Sequence, residues 1–268
     1  MKRAGFERLF TLALLAVPAL ALLCTTSASA AGWGSVHRYV KPTGKCAGQE
    51  ILASYYHTGK RTATGERFDA NGNTALFTEN IGQSTIKGAD IDVNALLTDD
   101  TLLRASVQYL DNKFDSFVYT TPRGGTNLPP VTGCPYTNAT QGALLVYAIN
   151  CSGLVGFNAP KWSANLGIDQ TLHLGAYDLV LTADARYRGN RLTGFERLPQ
   201  MFSGADTTLD LLARFSPTAD DWYIAGYVRN VTDETTQVAS QFSGTTGSTV
   251  SAIYGAPRTY GVRAGLKF

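Results

Sequence analysis

The sequence has few charged residues, few histidines and cysteines, and no long apolar run beyond its first 30 residues. Charged residues make up 16% of the 268-residue chain, which contains 3 histidines and 4 cysteines. A membrane-spanning helix needs about 20 consecutive apolar residues, so such helices are excluded from the body of the chain. The histidines are scattered without the spacing of zinc ligands, and we expect no metal and no cofactor.

The charge balance argues against a nucleic-acid partner. The chain has 23 Lys plus Arg and 21 Asp plus Glu, and removal of residues 1–30 leaves 20 of each sign. Nucleic-acid binders concentrate Lys and Arg against phosphate. No nucleic-acid partner is therefore expected.

The first 30 residues have the three parts of a secretory signal. Basic residues precede an apolar stretch from Leu9 to Leu23, and Ala28-Ser29-Ala30 provides a small-residue cleavage site. Lipid attachment at Cys24 is the alternative, although Leu23 stands where lipidation prefers a small residue. We predict that residues 1–30 are a signal peptide.

Apolar residues recur at every second position from Ile86 onward, which is the period of a β-strand. The alternate positions hold residues such as Asp184 and Arg186, which argue against a dry interior on that side. A soluble sandwich with one face in water would show the same period. Seven such segments occur, at about 90–97, 103–109, 162–169, 178–188, 209–215, 222–230 and 259–268.

The connections between these segments alternate between short and long. Short ones lie at 98–100, 175–176 and 217–221, and long polar ones at about 118–160, 189–206 and 232–253. This alternation is typical of outer-membrane barrels, which have short periplasmic turns and long outer loops. We predict an all-β fold of about seven antiparallel transmembrane strands, forming a partial barrel in the lipid of the outer membrane.

The last segment has the clearest pattern. It predicts a strand with its apolar row in lipid and its aromatic ends at the interfaces. The alternative is an ordinary amphipathic strand of a soluble protein. An aromatic final residue after such a strand resembles the signal read by the barrel assembly machinery, which we expect as a partner. The residues of this assembly signal are Tyr260, Val262, Ala264, Leu266 and Phe268.

Two of the three cysteines that follow the signal peptide lie close together. Cys134 and Cys151 share one polar segment, and an exported chain enters a compartment in which disulfides form. We predict a disulfide between them that closes a surface loop of about 17 residues. Cys46 has no assigned role.

Four segments resemble TonB-dependent receptors and occur in the order of that family. The resemblance implies a barrel of about 22 strands that holds an N-terminal plug and imports ferric chelates, cobalamin or oligosaccharides with energy from TonB. We predict that residues 77–268 are the C-terminal barrel part of a receptor for a siderophore-like or other large nutrient. The segments are "GQSTIKGADIDVNALLTDDTLLRASVQYLDNKFDSF", "NAPKWSANLGIDQ", "YIAGYVRNVTDE" and "YGAPRTYGVRAGLKF".

The sequence departs from this family in lacking a plug and a TonB box and in having only the last seven strands. We therefore expect no transport by this chain alone and no interaction with TonB. Arginines near one loop are candidates for contact with an anionic chelate, with solvated loop charges as the alternative. They are Arg186, Arg188, Arg191 and Arg197.

Residues 45–75 resemble a different family. The stretch "KCAGQEILASYYHTGKRTATGERFDANGNTA" is similar to the start of the double-psi β-barrel of rare lipoprotein A proteins, which are septal lytic transglycosylases acting on peptidoglycan. The resemblance implies that Glu66 is the general acid, with Asp69 nearby. Glycan cleavage normally needs a second carboxylate, which the family has in a downstream "NDRG" segment that is missing here. We interpret 31–76 as a truncated segment and predict that the chain is not an enzyme.

The two resemblances meet at about Thr74 to Thr78, as in a junction of two unrelated genes. Recombination, a frameshifted locus or an assembly artefact would each produce it. A third hypothesis is a small closed barrel of about eight strands, completed by a strand from residues 47–57.

Overall fold

The computed structural model describes residues 82–123, 128–243 and 249–267, together with the backbone of four strands between residues 38 and 77. The regular elements in these parts are β-strands, apart from a single 3-10 turn at Pro199–Met201. No helix among the described residues is long and apolar enough to cross a membrane.

One curled antiparallel sheet organises the chain. The seven strands predicted from the period-2 pattern are confirmed as β5, β6, β9, β10, β13, β14 and β17, numbered in chain order. In spatial order the sheet contains β1 (Arg38–Val40), β2 (Gln49–Thr58), β5 (Gly82–Thr98), β6 (Thr101–Pro122), β9 (Trp162–Leu174), β10 (Tyr177–Arg188), β13 (Asp206–Pro217), β14 (Trp222–Arg229) and β17 (Thr259–Leu266).

The sheet does not close on itself in the described part of the chain. β1 pairs there with β2 alone and β17 with β14 alone. The strand expected from residues 47–57 does form, because β2 pairs with β5 along its whole length. The closed barrel of about eight strands is nevertheless wrong for these residues, since no pairing joins the two ends of the sheet.

The register places apolar residues in one row across the sheet and mostly polar residues in the next. Val93, Ala105, Leu166, Ala185 and Leu209 are successive Cα partners across five strands. The next row, on the opposite face, contains Asn94, Arg104, Gly167, Asp184 and Asp210. Because successive side chains of a strand point to opposite faces, the sheet has an apolar face and a polar face.

The short connections are tight turns at one end of the sheet. Thr98 and Thr101 are paired at the β5–β6 turn, and Leu174 and Tyr177 at the β9–β10 turn. Gly175 in the second turn has a φ of 69°, a left-handed conformation that costs glycine little. The predicted alternation of short and long connections is therefore present.

The long connections contain strands of their own. β7 (Tyr136–Gln141) and β8 (Leu144–Asn150) form a hairpin that pairs with the end of β6. The other two-stranded sheets are β11 (Arg191–Leu192) with β12 (Phe202–Ser203), β15 (Gln237–Ser243) with β16 (Thr249–Tyr254), and β3 (Gly65–Phe68) with β4 (Thr74–Phe77).

The largest buried cluster lies in the long connections. It contains Phe117, Cys134, Tyr147, Ile149 and Cys151, each at most 5% exposed. A smaller cluster of Val93, Ala95 and Ala105 lies on the sheet. The connection between β6 and β9 is thus a folded structure that forms a core with the end of β6.

Candidate functional site

The apolar face of the sheet remains largely open. Leu181 is 40% exposed, Leu211 41%, Ile224 46% and Val262 73%. Soluble monomers rarely expose apolar patches that extend across several strands. This face therefore suits contact with an apolar medium.

Aromatic side chains lie at both ends of the apolar face. At the end with the tight turns, Tyr177 stacks on Phe215 with ring centroids 5.1 Å apart, and Trp222 lies 6.1 Å from Phe215. At the other end, Tyr109 and Trp162 are 4.8 Å apart. About 12 residue steps of β9 separate the two ends, which corresponds to about 40 Å along the strand. If the strand is tilted by about 40° from a barrel axis, the separation along that axis is about 30 Å.

The polar face is linked by hydrogen bonds across neighbouring strands. Arg104 on β6 binds Asp169 on β9 at 3.0 Å and Asp184 on β10 at 3.1 Å. The hydroxyl of Thr182 also donates to Asp169, at 2.7 Å. These contacts join residues that are 65 and 80 positions apart in sequence. They link three neighbouring strands on the polar face through one arginine and two carboxylates.

A second charged group lies at the β13–β14 turn. Asp220 accepts hydrogen bonds from Lys267 of the chain terminus and from Arg214 of β13. The bond from Lys267, followed by that from Arg214, lowers the pKa of Asp220 below its usual range. The turn and the end of β17 are therefore held together by charge.

The cysteines at 134 and 151 stabilise the longest connection. The structure joins Cys134 to Cys151 by a disulfide, with their Cα atoms 5.2 Å apart. Phe117 packs in the same cluster, and its ring centroid lies 5.8 Å from that of Phe195 in the next long connection. Tyr119 lies at the same distance from Phe195, so two rings at the end of β6 contact the connection between β10 and β13.

A buried ion pair organises the connection between β10 and β13. Nη1 of Arg191 lies 2.5 Å from Oδ2 of Asp206, and their side chains are 1% and 5% exposed. Arg188 donates two bonds of 3.2 Å to the other carboxylate oxygen. Nη2 of Arg191 also donates to the carbonyl of Gln237 at 2.9 Å, which links this connection to β15.

Each of the four loop arginines has a hydrogen-bond partner within the chain. Arg188 and Arg191 are engaged by Asp206, and Arg186 donates to Asn165. Arg197 donates to the carbonyl of Val155 at 2.6 Å, and burial lowers its pKa. Contact of these arginines with an anionic chelate stays a prediction.

The other predicted site residues are placed as follows. Glu66 lies in β3, with its Cα paired to that of Leu76, while Asp69 and Phe268 fall outside the described residues. Four residues of the predicted assembly signal lie on the apolar face of β17, and Tyr260 and Leu266 are 82% and 70% exposed. The buried pair of Arg191 and Asp206 was missed, since no local signal links residues 15 positions apart.

The comparison with protein families now identifies the class. The family described as "TonB dependent receptor-like, beta-barrel" matches residues 48–231. This covers more than half of the chain, and the chain belongs to that family. The match begins within the 31–76 segment and includes β2. No curated protein sequence matches the chain.

Solved structures of siderophore receptors have a similar fold. The ferric yersiniabactin uptake receptor FyuA from Yersinia pestis is 15% identical, with a TM-score of 0.57 over 83% of this chain and 28% of that one. The siderophore receptor PiuA from Acinetobacter baumannii is 16% identical, with a TM-score of 0.54 over 81% and 25%. The ferric-catecholate import receptor Fiu from K12 E. coli is 13% identical, with a TM-score of 0.54 over 91% of this chain and 30% of that one. The chain spans less than a third of each receptor.

Proposed function

We propose that this chain forms the C-terminal wall and outer loops of an outer-membrane receptor for siderophore-like or other large nutrients. The alternation of apolar and polar rows across five strands carries this proposal. The spacing of about 30 Å between the two groups of aromatic side chains supports it, because it is close to the thickness of the apolar layer of a bilayer. In this proposal the apolar face contacts lipid and the polar face lines the lumen.

The long connections provide the surface that would meet a nutrient. Ligand-binding residues are commonly held on loops that a rigid scaffold positions. Here the disulfide between Cys134 and Cys151 and the buried pair of Arg191 and Asp206 tie parts of these loops together. PiuA is named as a siderophore receptor, FyuA as a ferric yersiniabactin uptake receptor and Fiu as a ferric-catecholate import receptor. These names support a siderophore-like ligand for this chain.

We further propose that these residues do not transport by themselves. A path for a large solute through a membrane needs a closed wall, whereas the described sheet has free edges at β1 and β17. Export would use residues 1–30 as a signal peptide, and insertion would involve lipid and the barrel assembly machinery. Residues 31–76 would contribute β2 to the wall and no enzymatic activity.

Orientation and location can be tested together with an inserted epitope tag. A Cβ at Gly142, in the β7–β8 turn, or at Gly175, in the β9–β10 turn, would meet no atom within 4 Å, so both turns accept an insertion. The chain should fractionate with the outer membrane, and antibody should stain intact cells only when the tag is at Gly142. Equal staining at both positions, or recovery from the soluble periplasm without a chaperone, would contradict the proposal.

A further inference from the structure

Among the four loop arginines, Arg197 alone is buried without an ion pair in the part of the chain that the structure describes. Arg188 and Arg191 share Asp206, and Arg186 is exposed. The exposed fraction of Arg197 is 8%. Buried charges in proteins are normally paired, so a negative group from outside the chain would complete the surroundings of Arg197.

A neighbouring loop fixes the backbone of Arg197 in an uncommon conformation. Its φ is 60°, which lies in the left-handed region that residues with a Cβ seldom adopt. The N–H of Gly133 donates to the carbonyl of Glu196 at 2.7 Å, and a Cβ on Gly133 would lie 2.1 Å from the carbonyl oxygen of Arg197. Strained residues of this kind persist where their surroundings hold them, and they are common at ligand sites.

The guanidinium of Arg197 lies between a carbonyl group and an aromatic ring. Nη1 donates to the carbonyl of Val155 at 2.6 Å, and Cζ lies 6.0 Å from the ring centre of Phe202. A guanidinium has five N–H donors. Within the described residues, none of its other nitrogens is sealed from solvent without a partner. The remaining donors can therefore reach a ligand.

Two long connections bring the neighbours of Arg197 together around β11. Leu192 of β11 has Phe202 as its Cα partner, and its carbonyl accepts from the N–H of Asn158 at 2.8 Å. The segment that contains Val155 thus runs along one side of β11, while Phe202 lies on the other side. The side chain of Arg197 contacts both segments.

The rim around this guanidinium is apolar and open. Val155 is 45% exposed, Phe157 50% and Phe202 49%. Aromatic rings gain free energy from contact with another ring beyond that of apolar burial alone. An inorganic anion has no surface that would use these side chains. The combination of a cation and exposed rings therefore favours an anion that carries an aromatic ring.

We propose that Arg197 and Phe202, with Val155 and Phe157 at the rim, bind an aryl oxyanion, which is an aromatic ring bearing an ionised carboxylate or phenolate oxygen. The guanidinium donates to the oxygen by charge-assisted hydrogen bonds, and the ring of Phe202 contacts the ring of the ligand. This inference rests on the proposed function, because it names the chemical group of the nutrient that the outer loops take.

The test uses the full chain in detergent micelles, with benzoate and cyclohexanecarboxylate as probes in calorimetric titrations. The two probes have the same charge and similar size, and only benzoate is aromatic. Benzoate should bind about threefold to tenfold more tightly. Arg197→Gln should weaken binding of both probes by about tenfold or more, because it removes the charged donor. Phe202→Leu should abolish the preference for benzoate.

An arginine in another connection provides the control. Arg258 is 52% exposed, and Arg258→Gln removes the same charge without touching Arg197, so both probes should bind as they bind the unmodified chain. If Arg197→Gln folds poorly by circular dichroism, Phe202→Leu decides, because it replaces a half-exposed side chain by another apolar one. The proposal is overturned if neither probe binds at millimolar concentration, if Phe202→Leu keeps the preference, or if Arg258→Gln weakens binding as much as Arg197→Gln.

The epitope-tag experiment separates this site from the proposed function. A chain that reaches the outer membrane and displays the tag at Gly142, yet binds neither probe, overturns the aryl site alone. Probe binding by a chain recovered from the soluble periplasm would support the site and overturn the receptor role.

Discussion

Substitution of Asp206 by alanine should destabilise the outer loops strongly. Asp206 is shared by Arg191 and Arg188, and the Arg191 side chain is 1% exposed. Without the carboxylate, the Arg191 guanidinium would remain buried with no opposite charge. Breaking a buried ion pair by removing one partner costs about 3–5 kcal/mol.

An exposed pair elsewhere in the loops provides the matched control. Arg258 and Asp233 are 3.7 Å apart, and their side chains are 52% and 51% exposed. Exposed pairs contribute about 0–1 kcal/mol. Asp233→Ala removes the same chemical group as Asp206→Ala and should have only a small effect.

Amide hydrogen exchange at two positions reports on this region directly. The N–H of Thr193 donates to the carbonyl of Met201 at 2.7 Å, and the N–H of Ser240 donates to the carbonyl of Thr193 at 2.7 Å. Local opening exposes both amides. A loss of about 3–5 kcal/mol corresponds to a fall in protection of about 100-fold to 1,000-fold or more.

The reasoning can be refuted in two ways. Unchanged protection of Thr193 and Ser240 in Asp206→Ala would show that the pair adds nothing, and an equal loss in Asp233→Ala would show that burial does not matter. Asp206→Ala combined with Arg191→Met removes both charges and should recover a large part of the protection, because the uncompensated charge is gone.

Three further predictions concern the disulfide, the assembly signal and catalysis. Mass mapping without reduction should find Cys134 linked to Cys151, and reduction should destabilise the loop by about 3 kcal/mol, because the bridge restricts the unfolded chain. Deletion of Phe268 should lower the amount of chain assembled in the outer membrane. The purified chain should release no anhydro-sugar from stem-peptide-free peptidoglycan, because the sequence lacks the downstream segment that supplies the second carboxylate in the lytic family.

Each of these predictions has a clear contrary result. Two free thiols at the cysteine positions would exclude the disulfide. Phe268→Tyr keeps an aromatic end and should assemble normally, so normal assembly of the deletion variant would remove the role of the final residue. Product release that disappears in Glu66→Gln would establish a glycan-cleaving enzyme.

The seven strands and their short turns could be predicted because they depend on local geometry. A period of two follows from the strand backbone itself, and the apolar row from Leu179 to Ala185 shows it without any knowledge of neighbours. The pairing of the two cysteines could also be predicted from the sequence, since Cys134 and Cys151 are 17 residues apart in one polar segment. Membership of the receptor family was predicted from the resemblance of four segments in the family's order, and the family match over residues 48–231 confirms it.

The contacts that define the sites depend on tertiary structure. Arg104 meets Asp169 and Asp184 only because three strands pair in one register. The partners of the loop arginines depend on tertiary structure for the same reason, since a carboxylate at position 206 neutralises Arg191 from a different strand. Sequence determined which residues face each side of the sheet. Register and loop packing decided which of their charges are satisfied, because these contacts join strands that are distant along the chain.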